Sequence, residues 1–565
     1  MGKAFVYNMA NKDAPDSLTT MNLVFGIFMD GTLNNKDNTG LRLKREEDEK
    51  TRGGTARWKD APLLRFIADV ASSSHKNDYT NIARMWLWCR SSYRIYVEGP
   101  GTVSGGPDAA DGYLFGSGTT GIRAKVREAC ERLAAVVSRI RNQAGNKNKR
   151  IDTLTIDVFG FSRGAAAARN LLYEINVKGP YRPHKTPAGK ESDLPVARLK
   201  AAVRRPDAEA GNELRDADGL EIDKLLLTDG MLPGMGHLGY CLLKSGMPTD
   251  ELKNVRLAVR FVGLYDTVLA YYNDRDAANE STIKDSPLLV KTLKHLQRGG
   301  FDHSPAKLKL NDLGFYRKLV HFTAADEHRK NFALSRIGSS DRVTERSFPG
   351  SHSDIGGGYE EGIEENELES SLHFPNGYLD ALQQTLIQST WFRSDQLTMA
   401  NQARHALSAG LIPRKICSKR LVRKEYSYIM LHLMQDYCKA HLGSMLLADL
   451  RKTFSLKGHT VLEQASSILA TNQTAGANTD GAWSIFETAR TARGLLKPLS
   501  GLKDAHYQRN EPNFASHFPV ISSGAATEKE EKEVLKAIRN TYLHWSSSRT
   551  GWGMEPEQNR KRTIH

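Results

Sequence analysis

The sequence has no run of about 18 apolar residues, the length a helix needs to span a bilayer. Its first twenty residues, MGKAFVYNMANKDAPDSLTT, lack the charged head, apolar stretch and small-residue cleavage site of a secretory signal. Val6 breaks the myristoylation pattern. Cysteine is scarce. Cys89, Cys130, Cys241, Cys417 and Cys438 are odd in number and form no CxxC pair, which argues against a disulfide framework or a zinc ribbon and suits reduced thiols in a cytosolic product. There is no H-E-x-x-H and no G-x-x-x-x-G-K-[ST], and the run Gly356–Gly358 is too short for a dinucleotide fingerprint. Chemistry carried by side chains alone, with no metal and no cofactor, is what these absences leave.

What is present fits a globular protein. Apolar residues make up 39% and charged residues 25% of 565 residues, so a sizeable core is available without staples. With 79 basic and 65 acidic residues the net charge is +14, which suits an anionic partner. Nucleic acid and an acidic membrane surface both fit that excess, though no aromatic-basic interleaving or known nucleic-acid-binding module occurs.

A polar leader covers residues 1–20. Short Val-, Ile-, Phe- and Tyr-rich runs follow at Asn22–Met29, Tyr93–Val97, Leu154–Phe159, Val255–Tyr265 and Leu319–Ala324. Helix-like stretches such as Gly121–Arg141 and Arg163–Tyr173 lie between them. This alternation predicts an α/β fold, an α/β-hydrolase-like, mostly parallel sheet covered by helices. The stretch 178–254 breaks the rhythm and reads as an inserted lobe, a candidate lid. Glu360–Glu369 holds six glutamates in ten residues and reads as a solvated loop. Helix-like segments then dominate at Gly377–Trp391, Glu425–Lys452 and Lys529–His544, with loose stretches such as ATNQTAGANTDGA between them. The division expected is a catalytic domain at 21–360 and a mostly helical accessory module at 361–565 that binds membrane or partner.

The strongest chemical signal is Gly160-Phe161-Ser162-Arg163-Gly164, preceded by an apolar strand and followed by an Ala-rich helix. This is G-x-S-x-G in its required strand–turn–helix context. Glycines two before and two after the serine permit a tight turn that lifts the Ser162 hydroxyl above the sheet, and the Arg163 amide at the helix start can donate to an oxyanion. A serine nucleophile needs a base and an orienting acid, which in this fold class follow in the order acid, then histidine. His352, in a glycine-rich loop, is the candidate base. Asp266 and Asp326 each end an apolar strand before it, and spacing alone does not choose between them. Asp354 is too close in sequence to His352, and Asp157 lies inside a strand and reads as structural. A second oxyanion donor is expected from Gly31 or Thr32, just past the first strand. The same Asp-Gly-Thr resembles a phosphatase motif, but the nucleophilic aspartate's position there is held by Phe28.

Taken in order, MDGTLNN from Met29, TNI from Thr80, YVEGPGT from Tyr96, GFSRGA, GLYDTV ending at Val268, ADEHR ending at Arg329, and FPGSHSDIGGGY ending at Tyr359 resemble the α/β-hydrolase domain of the first family of type VI secretion lipase effectors. The resemblance spans roughly 21–360. It implies a phospholipase A that hydrolyses acyl esters of membrane glycerophospholipids and acts as an antibacterial toxin. By motif it implies Ser162 as nucleophile, Asp266 as acid and His352 as base, with Asp326 and Arg329 structural. It also implies a secretion spike or adaptor and an immunity protein as partners. The protein would be cytoplasmic in the producer and then reach the periplasm or membrane surface of target cells. The segment Tyr542-Leu-His-Trp-Ser looks family-like without an assigned role. A carboxylesterase on small or polymeric esters and a non-catalytic interaction protein on a hydrolase scaffold are the alternatives. For membrane contact, Pro413–Lys424 carries six basic residues ahead of an apolar helical pattern. It reads either as an interfacial segment or, preferred, as a core helix with a solvated basic lead-in.

Overall fold

The computed structural model describes residues 19–52, 73–90, 92, 94–105, 108, 120–185, 214–216, 218, 220–269, 308–370, 376–401, 414–443, 445, 449–471, 528–549, 554–557, 560 and 562–565. Residues 1–18 of the leader, 186–213 of the inserted stretch and the loose stretch after Thr471 lie outside them.

Six strands form the central sheet: β1 Thr19–Met29, β2 Ile95–Val97, β3 Lys149–Phe161, β4 Arg256–Tyr265, β5 Lys318–Ala324 and β6 Val343–Phe348. Their order is β2-β1-β3-β4-β5-β6 and every pairing is parallel. The expected strands are all present with shifted ends: β1, β3 and β5 run on past the apolar runs, while β2 and β4 begin later than expected, at Ile95 and Arg256. The chain leaves β1 for β2 on one side and returns to β3 on the other, so a topological switch point lies between β1 and β3. Register aligns the carboxyl ends. Met29 sits opposite Gly160, Phe161 opposite Tyr265, Tyr265 opposite Phe322 and Ala324 opposite Phe348. Asp30, Ser162, Asp266 and the loop to His352 therefore emerge along one edge.

A parallel sheet has two apolar faces, and both must be covered. Helix α1, Lys36–Arg52, follows β1, and α2, Asn81–Leu87, lies over the face that carries Phe28, Phe159 and Phe261. The other face, with Phe25, Ile27, Val158 and Leu264, is covered by α3 Ile122–Arg141, α4 Arg163–Leu172 and α5 Gly236–Lys244. α3 buries Ile122, Val126, Ala129, Cys130, Leu133, Val137 and Ile140, the three- and four-residue spacing of one helical stripe. In α5 and its continuation, Leu238, Leu242, Met247 and Leu252 belong to that same core. Residues 236–254 of the expected insertion thus serve as the crossover cover before β4. Ahead of them, His184–Lys185 pairs with Leu214–Arg215.

The second half differs most from the expectation of a separate helical module. Helix α6, His352–Gly356, is followed by β7 Gly362–Ser370, α7 Asn376–Gln388, β8 Leu397–Asn401, β9 Arg414–Val422, α8 Tyr426–Leu442, α9 Thr460–Thr471 and α10 Glu528–Tyr542. α8 buries eleven of its seventeen residues, and Ile429, Met430, Leu433, Met434 and Cys438 share one core with Phe159, Phe261 and Phe322 of the sheet. Such a helix is buried rather than interfacial. It supplies the cover that the second sheet face needs, so both halves of the chain meet in one core.

The glutamate run is not a solvated loop. β7 pairs antiparallel with β9, which holds most of the basic run, and β8 flanks β9. Five of the six basic residues meet acids: Arg414 with Asp380, Lys415 with Glu367, Lys419 with Glu365, Arg420 with Glu364 and Lys424 with Asp78. Opposite charges facing across a ladder stabilise it. Each run read alone looks solvated, but together they form a charge zipper. Among the described residues no helix is long and apolar enough to cross a membrane.

Arg420 is the buried centre of that zipper. Its guanidinium donates to Glu364 at 2.8 Å and to the carbonyls of Trp391, Arg539 and Leu543 at 2.8, 3.1 and 2.7 Å, with its side chain 0% exposed. Arg420→Ala is expected to lower stability by about 3–5 kcal/mol, because Glu364 and several carbonyls lose their partner in a buried site. The check is the denaturant midpoint at unchanged slope. A shift worth under about 1 kcal/mol would place the pair among the weak surface bridges.

Candidate active site

Ser162 occupies the turn between β3 and α4 with φ 58° and ψ −130°, a conformation L-residues rarely adopt. The turn is held because its amide donates to the Tyr265 carbonyl at 3.0 Å and its carbonyl accepts from Ala165 at 3.0 Å. Only glycines fit on either side. A Cβ at Gly160 would lie 2.7 Å from Ala165 Cα, and one at Gly164 would lie 2.1 Å from the Asp30 carbonyl oxygen. These close approaches are the strand–turn–helix geometry that the G-x-S-x-G spacing predicts. Ala165–Ala168 are wholly buried, which lets α4 sit tight on the sheet. Arg163 is the first residue of α4, where helix amides carry partial positive charge.

Asp266 follows β4 and is completely buried at φ 40°. Its amide donates to Phe322 O at 2.7 Å, and its Oδ1 accepts from Ala324 N at 2.9 Å. Oδ2 lies 2.5 Å from His352 Nδ1. Burial alone would raise its pKa, but the Arg562 guanidinium and the His352 contact outweigh it and hold the carboxyl well below the usual carboxylate range. Thr267, the next residue, is fixed by His321, whose Nε2 meets Thr267 N at 3.1 Å and whose Nδ1 meets Glu345 at 2.9 Å.

His352 begins α6 and is 4% exposed. Burial lowers its pKa, against the opposing pull of Asp266, which favours a neutral imidazole at neutral pH. Phe161 and Phe332 pack on the ring with centroids at 4.6 and 5.0 Å. With Nδ1 on Asp266, Nε2 is the nitrogen on the opposite side of the ring.

Asp266 and Asp326 turn to different partners. Asp326 turns its Oδ2 to the Gly350 amide at 2.6 Å, and its own amide donates back to Gly350 O at 3.0 Å. It clamps the turn leading to His352 rather than touching the imidazole's Nδ1. Glu327 beside it accepts from Arg329 Nη2 at 2.7 Å and from the His352 amide at 3.3 Å. Asp157 is tied to Arg260 across β3 and β4, in keeping with a structural reading.

Asp354 caps α6 through Ser351 and also holds His544, with 2.7 Å to Nδ1. Ser546 and Ser547 bond the two nitrogens of His328 at 2.8 and 2.7 Å. The segment Tyr542–Ser546 therefore braces the histidine loop, a role no local sequence signal indicated.

On the β1 side, the candidate donor Gly31 needs correction. Its amide is committed to Asp30 Oδ1 at 2.7 Å. Asp30 also accepts from Thr80 Oγ1 at 2.7 Å and Tyr96 at 2.6 Å. Burial raises its pKa to about 6 against those bonds. Thr32 remains, with a buried hydroxyl that has no hydrogen-bond partner among the described residues.

Reasoning from residues missed Arg562, which reaches Asp266 from far along the chain with Nη1 2.7 Å from Oδ1 and Nη2 2.8 Å from Oδ2. It lies in a short basic stretch with no periodicity or motif, so no signal marked it.

A family model described as type VI secretion, phospholipase effector Tle1-like, catalytic domain, matches residues 25–374. No curated protein matches the chain. Among solved structures, the chain is similar to the Tle1 effector bound to the VgrG spike from the type 6 secretion system, at 18% identity and a TM-score of 0.45, over 99% of this chain and 98% of that one. It is also similar to an uncharacterized protein from Pseudomonas aeruginosa, at 15% identity and a TM-score of 0.30, over 92% of this chain and 60% of that one. The family match takes in more than half of the sequence, from within β1 past the His352 loop, and the chain belongs to the Tle1-like phospholipase effectors of type VI secretion.

Proposed function

We propose that this phospholipase effector is a phospholipase A working through Ser162, His352 and Asp266. The observation that carries the reading is the strained Ser162 turn at the same sheet edge as a buried Asp266–His352 hydrogen bond of 2.5 Å. His352 Nε2 takes the Ser162 hydroxyl proton as Oγ attacks the acyl carbonyl carbon. The carbonyl oxygen becomes an oxyanion, received by the backbone N–H groups of Arg163 and Thr32. The C–O bond to glycerol breaks, and His352 returns the proton to the departing lysophospholipid oxygen. Water, deprotonated by the same imidazole, then attacks the acyl-enzyme and frees the fatty acid. Asp266 stays ionised throughout and orients the ring.

Membership of a type VI effector family supports delivery by a secretion spike or adaptor, protection of the producer by an immunity protein, and action on the membrane of a target cell. The test uses the full chain on vesicles of a phospholipid with different acyl chains at its two positions. One free fatty acid and one lysophospholipid should appear in equal amounts at early times, and a fluorophosphonate should add to the peptide containing Ser162. Release of a water-soluble headgroup instead, or labelling elsewhere, would overturn the reading.

A further inference from the structure

The described residues among 554–565 run back over the segment 328–336. Lys330 N donates to Glu555 O at 2.9 Å, Glu557 N to His328 O at 2.8 Å, Leu334 N to Thr563 O at 2.9 Å, and Arg336 N to His565 O at 2.8 Å. Arg560 pins this strap to Glu369 and to the Leu368 carbonyl. From the strap, Arg562 enters the site with its side chain 7% exposed. Each of its nitrogens has a fixed acceptor. Nε donates to Phe332 O at 2.7 Å, Nη1 to Asp266 Oδ1 at 2.7 Å and Ala324 O at 3.2 Å, and Nη2 to Asp266 Oδ2 at 2.8 Å.

An isolated buried carboxylate is costly and tends to take up a proton. A planar guanidinium removes that cost and, by gripping both oxygens, fixes the carboxylate plane, which a lysine's point charge does not do. Here that plane decides whether Oδ2 faces His352 Nδ1.

We propose that Arg562 is a positioning residue for the Asp266–His352 pair. Carried on a strap docked from about three hundred residues away, it keeps Asp266 charged and turned toward the imidazole, and it tempers the carboxylate's hold on the imidazole proton. This inference rests on the reading of Ser162, His352 and Asp266 as the catalytic groups.

Among the described residues the charged neighbours of the pair are few. Glu327 and Arg329 face His352 from the segment after β5. His321 and Glu345 approach behind Thr267, and Asp354 with His544 lies on the far side of α6. Arg562 is, among the described residues, the arginine in direct contact with Asp266. Without it the His352 hydrogen bond still holds Asp266 ionised, and the carboxylate, no longer shared with a guanidinium, pulls harder on an imidazolium, so the His352 pKa rises. The acid limb of kcat/KM, where the base becomes protonated, therefore moves to higher pH.

The experiment compares wild type, Arg562→Gln, Arg562→Lys and Ser162→Ala as full chains on a soluble p-nitrophenyl ester, with kcat, KM and the pH profile measured. Arg562→Gln should lower kcat by about 10- to 100-fold, as a misplaced catalytic group does, with KM little changed and the acid limb raised by roughly one pH unit. Arg562→Lys keeps the charge but not the fork, so its acid limb should stay near wild type while kcat stays reduced. An unmoved acid limb in Arg562→Gln overturns the proposal, whether or not kcat falls, since a packing role predicts that. Should Arg562→Gln fail to fold, wild-type kcat in Arg562→Lys overturns it. Activity that survives in Ser162→Ala overturns the underlying triad reading and this inference with it, whereas an inactive Ser162→Ala beside an unchanged Arg562→Gln overturns this inference alone.

Discussion

Replacing Ser162 with alanine is expected to lower fatty-acid release from phospholipid vesicles by about 10⁵- to 10⁶-fold, the loss seen when a serine nucleophile is removed. The fold should survive. The Ser162 side chain makes no capping bond to α4, and the contacts that hold the turn are backbone ones, to Tyr265 and from Ala165. Alanine keeps all of them and bears the same φ of 58°. Ser162→Gly separates chemistry from strain. It should be as inactive as alanine yet more stable by about 1 kcal/mol, because glycine carries no penalty at that backbone conformation. Vesicle assays and thermal melts read both effects. Release within tenfold of wild type in either variant would remove Ser162 from the nucleophile's place.

The ease with which Ser162 is found in the sequence follows from locality. A strand, a tight turn with two required glycines and an Ala-rich helix lie within about twenty residues, and each part constrains the next. The sheet was legible for the same reason, since buried parallel strands are short apolar runs. Asp266 and Asp326 were not separable from residues alone. Both follow parallel strands that end at the same edge, and what distinguishes them is the direction each carboxylate turns. Asp326 is claimed by the Gly350 amide and Asp266 by His352.

The remaining misreadings share a cause, which is contact between distant segments. Glu364, Glu365 and Glu367 looked solvated, as did Lys415, Lys419 and Arg420, because each run neutralises the other only once β7 lies beside β9. The helices of the second half were recognisable from their periodicity. A core helix is the preferred reading of the α8 sequence, but that it closes the main sheet shows only where it meets Phe159, Phe261 and Phe322. Gly31 failed as a donor because the side chain just before it folds back onto its amide. Arg562 stands 296 positions from the carboxylate it binds, and no local pattern encodes that distance.

Asp266→Asn is expected to lower kcat by about 10⁴-fold, roughly 5.5 kcal/mol of barrier. A carboxylate only accepts, and Asp266 receives Ala324 N and Arg562 Nη1 at Oδ1 and Arg562 Nη2 and His352 Nδ1 at Oδ2. Asparagine offers one oxygen and one NH₂ group. Turned to satisfy Ala324 and Arg562 at Oδ1, it points its NH₂ at His352 Nδ1, which must then accept. The imidazole proton is forced onto Nε2, the atom that has to receive the serine proton, and the base is switched off. Turned the other way, the NH₂ group faces two donors in a buried site, at a cost of about 1–3 kcal/mol. Either orientation also leaves Arg562 without its counter-charge, so the variant should be less stable as well as nearly inactive. Asp326→Asn is the informative companion. Its amide oxygen can still accept from Gly350, so its activity should remain within about tenfold of wild type if Asp326 only clamps the turn. Steady-state kinetics on both variants decides the matter. An Asp266→Asn enzyme within tenfold of wild type, with Asp326→Asn the more damaged of the two, would move the acid to Asp326 and remove the basis for Arg562's role.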